Sequence, residues 1–305
     1  MSNRKIRISQ AELFDALAIN QIKQLYQVQD SNILEDYIIR IVSDLDEYSR
    51  AQNISLSGRF AHLLVGLSQV NLHIFESKSR MMMSPEDEFE SHMMLAHQLN
   101  GVRNRFKREI QRIYEPHDSA SVPTNTATDG LAGWLFSVID KELDSIDISE
   151  TPHSNPSVVA SVGLNYSVAD LVDRLSISQL KETRFDSDKR LLYTQDLLNI
   201  TRDIDAHIGE CGCKVLSGKL IRAVIFIAVA NGLVWTLKER MEIAGDTRLR
   251  LDLLRQAQDI NSLRNLAKEQ ICKATNDQQH GLKRAVFLES SPNVWYATIA
   301  VGLAS

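Results

Sequence analysis

The sequence predicts an all-α protein: two tandem homologous four-helix units related by a pseudo-twofold, with a linker helix between them and a short C-terminal tail. Three observations lead there. Apolar residues recur at three- and four-residue intervals along most of the chain, and no alternating β pattern of useful length interrupts them. The chain also repeats itself: SQAELFDALAINQIK, Ser9 to Lys23, returns as SVADLVDRLSISQLK, Ser167 to Lys181. LSGRFAHLLVGLSQVNLHIFESKSRM from Leu56 returns as LSGKLIRAVIFIAVANGLVWTLKERM from Leu216, and AHQLNGVRNRFKREI from Ala96 as AQDINSLRNLAKEQI from Ala257. Three blocks in one order at nearly constant spacing point to an ancestral unit of about 110 residues copied in tandem. Finally, 305 residues with 44% hydrophobic, 24% charged, 13 Gly and 6 Pro suit two ordinary globular domains and exclude disordered and collagen-like classes.

The elements follow in order. In the first unit (1–118) a helix near 9–29 starts at Ser9 and carries Leu13, Phe14, Leu17, Ala18, Ile22 and Leu25 within half of a helical wheel. A second lies near 31–52. A third, near 57–82, bears Phe60, Leu64, Leu67, Val70 and Ile74. The fourth, near 85–114, opens with Ser84-Pro85-Glu86-Asp87, an N-cap, a first-turn proline and early acids, and continues as Leu95, Leu99, Val102, Phe106 and Ile110. The linker (119–164) is rich in Ser, Thr and Pro around one short amphipathic stretch, GWLFSVIDKELDSI. The second unit covers 165–275. The tail (276–305) belongs to neither copy; its Val294, Trp295 and Tyr296 either pack across the copies or bind a partner.

Polar residues kept in both copies are the candidate functional positions. Glu12 and Asp15 match Asp170 and Asp173, and their spacing places both carboxylates on one helical face. Helical metal-dependent nucleotide hydrolases hold magnesium with that spacing, but Ser9-x-x-Glu12 and Ser167-x-x-Asp170 also have the form of capping boxes. Lys23 matches Lys181, suiting a salt bridge to another helix or an anion contact. Asn71 matches Asn231 inside the apolar stripe, where an amide needs a hydrogen-bond partner. Asn100, Arg103 and Lys107 match Asn261, Arg264 and Lys268, a stripe able to pair with the first-helix carboxylates or to line a phosphate groove. Asp44 and Asp46, with counterparts Asp203 and Asp205, are the further acids a magnesium site would recruit.

A charge of −5 argues against general nucleic-acid binding. The most apolar run, Ala223 to Trp235, is shorter than the roughly 20 residues that span a bilayer. Three cysteines, no signal-peptide pattern and no transmembrane segment suit a cytoplasmic protein, and a homo-oligomer is left open. No phosphate-binding loop, dinucleotide fingerprint, HExxH, nucleophile elbow or paired CxxC is present, and Cys211-Gly-Cys213 has no equivalent in the first copy.

At AELFDALAINQIK and ADLVDRLSISQLK the chain resembles small helical bacterial families of unknown function that open with an ELIDKLTILEIK-like motif. Those families are often encoded among genes for surface polysaccharides and glycosyltransferases. Asn231 with Trp235, then Asn261, Arg264 and Lys268, look like the family's later features, as do Asn71, Phe75, Asn100, Arg103 and Lys107. The resemblance implies no established reaction. It leads to the expectation of a binding or assembly module, accessory to polysaccharide or glycoconjugate biosynthesis, with a protein or phosphorylated small molecule as partner. Two alternatives stand beside it: a magnesium-dependent nucleotide or phosphosugar hydrolase, and a helical scaffold that binds partners through its apolar tail.

Overall fold

The computed structural model describes residues 9–26, 30–83, 85–114, 136–139, 166–185, 187–211, 216–277 and 294–304. Nine α-helices and one 3-10 turn make up the described elements, with no strand among them. The helices are α1 (Gln10–Leu25), α2 (Ser31–Gln52), α3 (Gly58–Met81), α4 (Glu86–Tyr114), α5 (Val168–Arg184), α6 (Ser187–Cys211), α7 (Gly218–Ile243), α8 (Thr247–Thr275) and α9 (Val294–Ala304); the turn is Ser137–Ile139. The protein is all-α. Four helices precede the linker and five follow it, four of these in the predicted second unit and α9 in the tail; in the first unit they lie close to the predicted spans, although α1 stops at Leu25. Ser84, Cys213 and all but 136–139 of the predicted linker helix lie outside the described residues, as do the side chains of Val294, Trp295 and Tyr296.

Local chemistry sets the helix ends. Ser57, Ser167 and Ser217 each accept the amide of the residue three further on, at 3.2, 3.0 and 3.1 Å. α2 and α8 close on Asn53 and Asn276, both left-handed (φ 50° and 54°), a conformation asparagine tolerates.

α3 and α7 form the centre. Their starting loops meet where the Leu216 amide donates to the Ile54 carbonyl at 2.7 Å, and Leu72 lies against Gly232 further along. Leu72 and Gly232 are each fourteen residues past the first residue of their helices, Gly58 and Gly218. The two helices therefore run side by side in the same direction, and the α3–α4 and α7–α8 turns leave one end of the bundle.

The second helix of each half crosses over. α2 packs on α1 and then on α7 of the other half, while α6 packs on α5 and then on α3. Glycine permits the closest approach: a Cβ on Gly58 would lie 2.0 Å from the Thr201 carbonyl oxygen, and one on Gly218 2.2 Å from that of Val42. The same crossings cap both central helices. The Gly58 amide donates to Asp205 at 2.8 Å and the Gly218 amide to Asp46 at 2.7 Å. These carboxylates sit at the positive ends of the helix dipoles.

One apolar cluster runs through both halves, containing Phe14, Leu64 and Phe106 together with Leu175, Phe226 and Leu263. α7 is long and apolar enough to cross a membrane, yet 94% of its most apolar window is buried inside the bundle. The apolarity is that of a core helix surrounded by others. α9 takes up the tail, packing on α8, α2 and α7 with Ile299 and Leu303 buried, so the tail does pack across the two halves.

Candidate functional site

The polar residues shared by the two halves meet in two clusters of the same plan, each built from the first, third and fourth helix of one half. In the first, the N-cap at Ser9 sets the phase of α1, so that Glu12 and Asp15 face α4. Arg103 and Lys107, one turn apart on α4, face them in return. Lys107 binds Glu12 and stands 4.0 Å from Asp15, whose other oxygen lies 3.9 Å from Nε of Arg103. From α3, Nδ2 of Asn71 donates to Asp15 at 2.8 Å. Asp15, Asn71 and Lys107 are buried.

The second cluster repeats this on α5, α7 and α8. Lys268 donates to Asp170 at 2.6 Å and approaches Asp173 at 3.7 Å; Nε of Arg264 is 3.7 Å from Asp173. Asn231 donates to Asp173 at 2.9 Å and accepts from Arg264 at 2.6 Å. Asp170 also completes a capping box with Ser167, so capping and ion pairing coexist at one carboxylate. Burial alone would raise its pKa, but hydrogen bonds from Lys268 and Ser167 and the lysine charge hold it below the usual range.

Each cluster therefore sets two cations against two carboxylates with an amide between them. Such pairing neutralises charge and fixes helix register, and it leaves no excess cation for a phosphate. Nε of Arg103 and of Arg264 are buried without a hydrogen-bond partner. The remaining members of the predicted stripe do not join. Asn100 donates to the Ala96 carbonyl of its own helix at 2.8 Å, and Asn261 makes none of these contacts. Lys23 forms no ion pair, and Lys181 lies 5.3 Å over the ring of Tyr193, so the salt bridges expected of these lysines are not made among the described residues.

The acids of the magnesium alternative are not gathered. Glu12, Asp15, Asp170 and Asp173 each face a lysine, an arginine or both. Asp46 and Asp205 cap the opposite half's central helix, and Asp44 is exposed on α2. Asp205 meets α3 at Gly58 and Asp15 meets it at Asn71, about 20 Å further along at 1.5 Å per residue. Among the described residues no group of three His, Cys, Asp or Glu could hold a metal ion.

A second pair of polar clusters lies where the halves cross, and sequence reasoning missed it. Arg222 on α7 clamps Glu35 on α2 through two hydrogen bonds of 2.7 Å, with Gln24 adding one at 3.0 Å and Gln21 holding the Arg222 carbonyl at 3.2 Å. In the other crossing, His62 on α3 bonds Gln179 at 2.6 Å. Glu182 there accepts from Gln179, Thr194 and the Ser137 amide at 2.6, 2.7 and 3.3 Å. Burial pushes the Glu182 carboxyl up despite those bonds, and pushes the His62 imidazole down to about 4 against the hydrogen bond it makes to the Gln179 side-chain oxygen. The signal was present in the repeat: His62 and Arg222 occupy one aligned position, polar in both copies inside the most apolar stretch.

α9 covers the Glu35–Arg222 pair. A Cβ on Gly302 would lie 1.9 Å from a Glu35 oxygen, so any larger residue there would displace the paired side chains. Beside the pair is a cavity of about 270 Å³ lined by Ile39, Val42, Lys219, Arg222, Gly302 and Leu303 among others. No protein-family model, curated protein or solved structure matches the chain.

Proposed function

We propose that the protein is a helical binding and assembly module, built by tandem duplication of a four-helix unit, whose shared polar residues hold the helices of each half in register. One observation carries this reading. The acids, asparagines and basic residues at the heart of the shared stripe face one another inside the two clusters, while many of the large apolar side chains left uncovered gather at the α3–α4 and α7–α8 turns. Exposed apolar surface of that kind serves association. The likeness of both opening motifs to the polysaccharide-linked families supports an accessory role in glycoconjugate assembly in the cytoplasm.

The test is a pair of readouts on purified protein. Arg103→Ala and Arg264→Ala are expected to lower unfolding stability by about 1–3 kcal/mol each, since each leaves a largely buried carboxylate short of a partner, with no effect on association. Incubation with magnesium and a panel of nucleoside and sugar phosphates is expected to release no phosphate. Metal-dependent release abolished by Asp15→Asn or Asp173→Asn would replace this reading with the hydrolase.

A further inference from the structure

The two turns at the shared end of the bundle both expose apolar side chains and differ in charge: residues 78–90 sum to −2 and residues 238–255 to +1. At the first, Met83, Phe89 and Met93 are exposed; at the second, Ile243, Leu249 and Leu254 are. Nine of the sixteen exposed large apolar residues among the described residues lie at these two tips. Both tips inherit a lysine and an arginine from the preceding helix, Lys78 and Arg80 in one and Lys238 and Arg240 in the other, the second pair offset by Glu239 and Glu242. The difference lies in the helix that follows. α4 begins with Glu86, Asp87, Glu88 and Glu90 and has no lysine or arginine before Arg103. α8 follows its N-cap Asp246 with Arg248, Arg250 and Arg255 against the one further acid Asp252.

Acids at the start of α4 suit the helix dipole and need no other reason. Arg248 and Arg250, at the start of α8, run against it. Arg250 has a local use, donating to the Ala244 carbonyl at 2.6 Å, and Arg255 meets Asp252 at 3.4 Å on the surface, where such pairs are worth little. Arg248 is exposed, and its side chain has no partner among the described residues. Basic residues placed at a positive helix end, interleaved with exposed leucines, fit an acidic surface brought by another molecule. The chain itself carries that surface on its other tip, with exposed Glu88 and Glu90 flanking Phe89.

We propose that two copies of this chain pair end to end, the acidic α3–α4 tip of each docking on the basic α7–α8 tip of the other. Because α3 and α7 run in one direction, both tips leave the same end, and a single twofold axis makes both contacts together. The interface is closed and ends at a dimer. This rests on the assembly reading above and supplies its partner.

Light scattering on the full chain at micromolar concentration tests it. The expected mass is twice that of the chain, with affinity falling about tenfold or more between low and high salt as the charges are screened. Glu88→Lys/Glu90→Lys makes both tips basic and Arg248→Glu/Arg255→Glu makes both acidic. Each variant is expected to be monomeric with an unchanged helical circular dichroism spectrum, and an equimolar mixture of the two to recover the doubled mass. A wild-type monomer, open-ended polymers, or dimers that survive both reversals would each overturn the pairing. A monomer without phosphate release would overturn this proposal alone; metal-dependent hydrolysis would overturn the assembly reading itself.

Discussion

The backbone amide of Gly58 donates to the carboxylate of Asp205, 147 residues later in the chain, and the amide of Gly218 makes the matching bond to Asp46. Each central helix is thus capped by the half to which it does not belong. Asp205→Ala and Asp46→Ala are each expected to lower stability by about 1–2 kcal/mol, as the loss of an N-terminal acceptor does. Gly58→Ala drives a methyl into the Thr201 carbonyl and should cost more, about 2 kcal/mol or above. Urea unfolding of the three variants checks the order.

Breaking the Glu35–Arg222 clamp leaves one buried charge uncompensated. Arg222→Met alone is expected to lose about 3–5 kcal/mol, and Arg222→Met with Glu35→Leu to lose clearly less, because the stranded carboxylate is gone. A double-mutant cycle in denaturant reads the coupling, and additive losses would refute it.

Acid acts through buried imidazoles. Burial holds His62 down to about 4, and holds His73 down to about 3 with help from the Arg184 and Arg80 charges; the unfolded chain takes up those protons near 6.5. Between pH 6.5 and about 4 the unfolded state therefore binds more protons, and stability falls as pH falls. Glu182 works in the opposite sense: its raised pKa removes stability as pH climbs above the ordinary glutamate value. His62→Gln should flatten the fall between pH 6.5 and 4, seen in melting temperatures across that range.

Volume is exchanged between the halves of the core. A Cβ on Gly66 would lie 2.3 Å from the ring of Phe106, whereas the corresponding positions of the second half hold Phe226 and Ala267. Gly66→Phe alone is expected to destabilise by about 3 kcal/mol or more through overpacking. Adding Phe106→Ala should recover most of it, although Phe106 also gives up its edge contact with Phe136. Melting temperatures of the single and double variants decide the point.

The helices were legible because their signals are local. Ser9 and Ser167 begin helices as their sequence context predicts, and the 3.6-residue stripe of α3 is the buried one. The pairing of Arg103 and Lys107 with the first helix was legible because the repeat marked those positions twice, and the same repeat marked Asn71 as an amide in need of a partner without saying which. The crossing of α2 and α6 was not. Asp46 and Asp205 read as further acids for a magnesium site, and only the approach of the other half, through Gly218 and Gly58, gives them their amides. Arg222 and His62 were hidden for the same reason, since their partners Glu35 and Gln179 are remote in sequence.

The crossed capping also orders events during synthesis. When α3 leaves the ribosome its first amide has no acceptor until residue 205 has followed, 147 positions behind. At about 5–20 residues per second that is an interval of roughly 7–30 s. Throughout it the first half must wait with an apolar flank of α3 uncovered and α2 without the helix it will lie against. A nascent chain stalled in the linker would present that flank to whatever chaperone or neighbouring ribosome product stood nearest, and the second half acts as its intramolecular escort.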